Sequence, residues 1–332
     1  MDVSRTIRRE KIIEILIDDG SIDLSDYLEE KHDGENVRPA EFFRELTLSA
    51  FQGGGKETGC TLPWEKTHDD VRVRPGEVTM WHGQNFSGKS MLTGQVAIDL
   101  CSQGQRVCIA SMEMLPQRTL QRMCRQATGE NMPDVVKINS FHDWIESKVW
   151  LYDKRGSMDW KRMVAVIRYS VDKFGIQHFF IDSLMKCVRG EDDYNGQKDF
   201  VNALCAVAQD TGVHVHLVHH TAKPKMGDTV PGRYDAKGSG SISDQVDNVV
   251  GIWRNRDDKR SPEQPDCVLN VDKQRNGEWD GKINLWFDHA SFQYRGELMG
   301  FFKQYIPNQK KRSSYETVST SFKPQQTAIE AF

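Results

Sequence analysis

The chain has 332 residues, 28% of them charged and 38% hydrophobic, with a formal net charge of -4. That length allows one large domain or a core with an appendage, and the charge excludes a uniformly basic coat for nucleic acid while leaving room for a local basic channel. No apolar run approaches ~18 residues, so no membrane partner is implied, and the mixed charges of residues 1–20 fit neither a secretory nor a transit leader. Seven cysteines without a C-x-x-C pair read as small hydrophobes in a reducing compartment, with no disulfide framework and no zinc site.

Residues 1–70 read as a small helical arm or linker, with amphipathic stretches at 5–18, 23–30 and 39–51 and a glycine-punctuated loop at 53–59. From 71 to 302 strands and helices alternate, the pattern of an α/β domain with a mostly parallel central sheet. The strands fall at 77–82, 107–110, 149–152, 177–181 and 213–218. Between them lie helices at 91–101, 116–127 (opened by a proline), 159–173 and 199–210. A loop rich in glycine and lysine spans 223–240. Strands at 248–253, 268–271, 283–287 and 292–294 then form a late β-meander. The remainder, 303–332, is polar and basic, and is expected to be a flexible tail.

The run Gly83-Gln84-Asn85-Phe86-Ser87-Gly88-Lys89-Ser90 fits G-x-x-x-x-G-K-[ST] between a strand and a helix, the setting in which that motif cradles phosphates. Its backbone amides and the helix N-terminus suit the β-phosphate. Lys89 would reach the β- and γ-phosphates and Ser90 would hold Mg²⁺. Asp182 ends an apolar strand, where a carboxylate serves the Mg²⁺ water shell; the alternative is a turn aspartate. Glu113 follows the strand at 107–110. If that strand neighbours the phosphate-loop strand, Glu113 can polarise the attacking water; otherwise it is a surface residue. His214, His216, His219 and His220 cluster on and after one strand. They read as a weak zinc candidate or, better, as a strand carrying His220 as a γ-phosphate sensor at its end, with His214 and His216 partly exposed. Lys223, Lys225, Arg233, Lys237, Gly238 and Ser239 suit a phosphate backbone, or a solvated loop. Lys273 and Arg275 share one face of a strand and read either as a trans arginine finger or as a surface cationic pair.

In this order the residues resemble the RecA-like hexameric replicative helicases, most closely the Twinkle-type and phage primase-helicase motors and more distantly the DnaB-like ones. The likeness runs from about residue 62 to 294 and includes Ser111-Met112-Glu113-Met114, Leu217-Val218-His219-His220, the stretch 237–248 and Lys273-Gln274-Arg275. It implies ATP as substrate with Mg²⁺, Glu113 as the catalytic glutamate and His220 as the γ-phosphate sensor. It also implies Arg275 as the trans finger with Lys273 its companion, residues 223–241 as a loop gripping single-stranded DNA, and Phe287 against the base. A homohexameric ring at a replication fork follows, with a primase, polymerase or loader as further partners, in the cytoplasm and nucleoid of a bacterial or phage-infected cell. The alternatives are a RecA- or RadA-like filament-forming ATPase and a non-unwinding adaptor or helicase loader. Residues 39–51 are the candidate for the helix that packs on a neighbouring subunit.

Overall fold

The computed structural model describes residues 16–17, 24–28, 39–52, 59–190, 192–221, 230–236 and 241–306. A ten-stranded sheet organises them. Its strands are β1 (Leu16–Ile17), β2 (Val78–Gly83), β3 (Val107–Ser111), β4 (Val149–Tyr152), β5 (His178–Asp182), β6 (His214–His220), β7 (Asn248–Arg254), β8 (Cys267–Gln274), β9 (Gly281–Asp288) and β10 (Gln293–Arg295). The spatial order is β1-β4-β3-β5-β6-β2-β7-β8-β9-β10. Strands β1 to β7 run parallel, and the last three turn back as an antiparallel meander. The helices are α1 (Ser25–Leu28), α2 (Arg44–Gln52), α3 (Lys89–Ser102), α4 (Pro116–Thr128), α5 (Val135–Ile145), α6 (Trp160–Phe174), α7 (Tyr194–Thr211) and α8 (Ser241–Gln245).

Helices cover both faces of the parallel strands, so those strands read as unbroken apolar runs; all six residues of β2 are buried. Alternate residues point to opposite layers. Cys108, Ala110, Phe179 and Ile181 pack with Met163, Val201 and Leu204 of α6 and α7. Val107, Ile109 and Phe180 pack with Leu92, Val96, Met123 and Phe141 of α3, α4 and α5. Packing also extends past the expected boundary at 71: Leu62, Trp64, Val71 and Val73 join the second layer, and Trp64 Nε1 donates to the Tyr294 carbonyl at 2.8 Å.

Three local expectations are corrected. Leu16–Ile17 pairs in parallel with β4 as an edge strand, where the apolar pattern of 5–18 suggests a helix. Helix α5 has no counterpart among the expected elements, although Asp134 caps it by accepting from Lys137 N and Phe141 and Ile145 lie a turn apart in the core. Helix α7 begins five residues before 199; Asn195-Gly196 resembles a turn, but Asp193 accepts from Gly196 N and draws that pair into the first helical turn. The expected arm is described in part. Helix α1 packs beside α6, with Tyr27 donating to Asp172, and α2 follows a 3₁₀ turn at Ala40–Phe43. The tail from 307 onward and most of the 223–241 loop lie outside the described residues.

Candidate nucleotide site

The phosphate loop leaves the carboxyl edge of β2 and enters α3 through Gly88, whose φ of 89° is open to glycine without steric cost. Phe86 adopts φ 62°, a region that strains a bulky residue, and its side chain is 88% exposed. Arg256 donates to the Asn85 carbonyl at 2.7 Å and ties the loop to the β7–β8 connection. Beneath Gly88 lies the Tyr294 hydroxyl, only 2.5 Å from where a Cβ would stand. Phe287 packs on Tyr294 with ring centroids 5.0 Å apart, which places the expected base-contacting aromatic on the loop's flank.

Lys89 is buried and folds back onto the Gly83 and Gln84 carbonyls at 2.9 and 2.8 Å. Burial lowers its pKa to about 8, against the opposing pull of Asp182 and Glu113. A phosphate would compete for this ammonium with neutral carbonyls, and charge favours the phosphate. Ser90 Oγ donates to Asp182 Oδ2 at 2.6 Å. Burial raises the Asp182 pKa and Glu113 adds to the rise, while the Ser90 hydrogen bond, Lys89 and Arg122 oppose it. A hydroxyl and a carboxylate in contact are hard oxygen donors of the kind Mg²⁺ takes alongside water and substrate phosphate, so these two residues fit that ion.

The route by which Glu113 reaches this site differs from the expected one. Strand β3 is not next to β2; β5 and β6 intervene. Its neighbour is β5, with Ser111 opposite Asp182 and Met112 N donating to the Asp182 carbonyl at 3.1 Å. The loop after β3 therefore overhangs the Asp182 end of the sheet, and Glu113 lies 3.7 Å from Lys186. His220 ends β6 in register with Gly83, directly beside the first residue of the phosphate loop.

His214 and His216 are fully buried, contrary to the expectation of partial exposure. Parallel strands place them among His178, Phe180 and Trp81, and the His216 ring stacks on Phe180 at 3.9 Å. Hydrogen bonds fix their tautomers. Trp81 Nε1 donates to His216 Nδ1 at 3.2 Å, and His216 Nε2 then donates to His178 Nδ1 at 3.3 Å. Thr79 donates to His214 Nε2, whose Nδ1 donates to the Arg74 carbonyl. Desolvation holds these imidazoles neutral, His214 at about 4 and His178 and His216 well below the usual value. Their ring nitrogens are occupied by this network, which leaves the zinc reading without ligands there.

A family model described as an AAA domain matches residues 68–226, a span that holds the phosphate loop, Glu113, Asp182 and His220. The Twinkle homolog protein, chloroplastic/mitochondrial, of Arabidopsis thaliana is 25% identical over 281 residues, 76% of this chain and 39% of the relative. The chain thus spans about two-fifths of that relative's length. Among solved structures, one described as an ATPase domain superposes with a TM-score of 0.69 at 16% identity over 78% of this chain and 99% of that one. A DnaB-like replicative helicase, solved in work on its interactions with primase, gives 0.67 at 16% over 80% and 67%. The chain has the fold of a DnaB-like helicase ATPase domain.

Within this fold the described residues gather Gly83–Ser90, Asp182, Glu113 and His220 at one edge of the sheet. Lys273 and Arg275 sit elsewhere, at the opposite end of β8. Lys273 Nζ donates to the Ser243, Asp244 and Val246 carbonyls, and Arg275 pairs with Asp247 at 3.2 Å and donates to the Gln245 carbonyl. Both cap the end of α8, where cations are favoured, and neither contacts the phosphate loop of its own chain. Arg233 pairs with Asp244 at 3.0 Å. Lys223, Lys225, Lys237, Gly238 and Ser239 lie outside the described residues. Sequence reasoning missed Tyr294 and Arg122, since neither belongs to a motif; the only trace of Arg122 is the i, i+4 spacing from Arg118. All seven cysteines are free thiols, and no helix among the described residues is long and apolar enough to cross a membrane.

Proposed function

We propose that the chain is an ATP-hydrolysing DNA translocase and replicative helicase that works as a homohexameric ring, with each nucleotide site completed by the next subunit. The observation that carries this reading is the pairing of a complete cis half-site with finger residues that do not reach it in their own chain. Gly83–Ser90, Asp182, Glu113 and His220 share one sheet edge, whereas Arg275 and Lys273 face away from it. A neighbouring subunit would present its Arg275 to this edge.

In hydrolysis, Glu113 orients a water and accepts its proton. The water oxygen bonds to the γ-phosphorus while the bond to the β,γ-bridging oxygen breaks, and ADP leaves with the electron pair. Lys89 and the loop amides hold the β- and γ-oxygens, and Arg275 of the next subunit neutralises charge that develops in the transition state. Mg²⁺ held by Ser90 and Asp182 would supply further charge neutralisation across the phosphates. His220, beside Gly83, would sense the γ-phosphate and pass its loss to residues 223–241, where Lys223, Lys225, Arg233, Lys237, Gly238 and Ser239 would grip the strand by its backbone.

Two uncovered apolar surfaces support assembly. Phe42, Phe43, Leu48 and Phe51 are exposed along the 3₁₀ turn and α2, and Met132, Val135 and Val136 are exposed before and on α5. Two different patches on one chain suit a head-to-tail interface, which closes as a ring when the rotation allows. ATP turnover with and without single-stranded DNA tests the reading. Glu113→Gln and Arg275→Ala should each lower DNA-stimulated turnover by about 10²-fold or more; unchanged turnover in both would refute the assignment.

A further inference from the structure

A cavity of about 620 Å³ opens between Glu113 and α4, and its lining includes Glu113, Leu115, Arg118, Arg122, Arg125 and Phe292. Arg118, Arg122 and Arg125 recur at helical spacing, so they line one face. Three guanidinium groups thus meet a single carboxylate. The outer two are engaged: Arg118 donates to Gln121 at 3.0 Å, while Arg125 stacks on the Phe292 ring at 3.1 Å and donates to the His289 carbonyl. Arg122 lies between them, half-buried. Among the described residues it makes no hydrogen bond or ion pair, yet its charge is felt at Asp182. A partly desolvated guanidinium carries a penalty that an anion relieves, and its planar fork matches a phosphoryl group. The first turn of α4 adds to this. Helix α4 opens at Pro116, next to the cleft-lining Leu115, and no side chain caps it, so the positive end of its dipole lies beside the cleft.

We propose that this cleft is an oxyanion site that takes inorganic phosphate after hydrolysis, with Arg122 as its main ligand and Arg118 as its second. The proposal rests on the nucleotide reading above, which sets the γ-phosphate between Lys89, the Ser90–Asp182 pair and Glu113. The cleft adjoins that position, since Glu113 lines it and the Arg122 charge acts on Asp182. Hydrolysis turns one bound polyphosphate into ADP and a separate phosphate, and the two anions repel. A cationic cleft beside the Asp182 edge gives the phosphate a place to go while ADP stays on the loop. Arg122 and Arg118 then govern phosphate release rather than bond breaking, and Glu113 stands between the two positions.

The test titrates inorganic phosphate calorimetrically into the full chain saturated with Mg²⁺ and ADP, with ADP affinity and thermal unfolding measured on the same samples. Arg122→Ala and the Arg118→Ala/Arg122→Ala pair should weaken phosphate binding by about tenfold or more while ADP affinity and unfolding stay as in the wild type. Arg122→Lys should recover part of the loss, because it keeps the charge without the fork. Phosphate affinity equal in wild type and the double variant would overturn the proposal, as would a wild-type chain that holds ADP and takes up no phosphate. If the wild type does not bind ADP, it is the nucleotide reading that fails. Phosphate alone, titrated into Lys89→Ala with and without Arg122→Ala, then decides the cleft: a weaker second titration supports it and identical titrations overturn it.

Discussion

Gly88→Ala probes how the phosphate loop is held. The structure makes two separate demands at this position. At φ 89° an alanine in left-handed backbone costs about 1 kcal/mol. In addition its Cβ would stand 2.5 Å from the Tyr294 hydroxyl, so loop or ring must yield by about 1 Å to reach ordinary contact. Tyr294 cannot retreat freely. Its backbone N–H and carbonyl are held by Gln95 at 2.7 and 2.9 Å and its carbonyl also by Trp64, and its ring packs on Phe287. The displacement therefore falls on the loop, where a shift of about 1 Å costs about 10²-fold in function. Affinity for a fluorescent ATP analogue should drop about that far in Gly88→Ala. Tyr294→Phe alone should bind nearly as wild type. The double variant should recover most of the loss and retain only the backbone penalty, about a fivefold deficit at 1 kcal/mol. Wild-type affinity in Gly88→Ala, or no recovery in the double variant, would refute the idea that β10 braces the loop.

Ser90→Ala and Asp182→Asn should each raise the Mg²⁺ concentration needed for half-maximal turnover by about tenfold or more while leaving metal-free nucleotide binding near wild type, as followed in a magnesium titration. Stability should fall with acid. The buried imidazoles at 178, 214 and 216 have folded pKa values below the unfolded one, so the unfolded chain binds more protons and stability present above pH ~6.5 is lost as pH drops. Urea unfolding should lose about 1 kcal/mol per imidazole between about pH 6.5 and 5.5, and His216→Phe, stacked on Phe180, should flatten that slope. Phe43→Asp with Phe51→Asp should leave the chain folded by circular dichroism but shift its mass toward monomer in sedimentation; an unchanged assembly would show that α2 is not an interface.

The parallel core is legible because strands buried on both faces read as apolar runs and the helices between them carry their caps and stops in sequence. A motif and a strand end assign Ser90 and Asp182, 92 positions apart, to one metal, and their side chains stand in contact. Sequence reasoning brings Glu113 in through a neighbouring strand that is not its neighbour, because strand order is a property of pairing across the whole sheet. The histidines on β6 mislead for a related reason. A polar residue on a parallel strand looks exposed until its partners on adjacent strands are known, and here Thr79, Trp81 and His178 supply hydrogen bonds from the strands alongside. Tyr294 leaves no local signal and Arg122 only its spacing from Arg118; each gains meaning from an element far away in the chain.

The central claim is that the nucleotide site is shared between subunits. ATP turnover per chain, followed across a wide range of protein concentration with the mass distribution recorded in the same samples, tests it most directly. The account predicts a silent monomer, with turnover per chain rising in step with assembly and the rise abolished by Arg275→Ala. Turnover by the monomer at the rate of the assembled protein would contradict it.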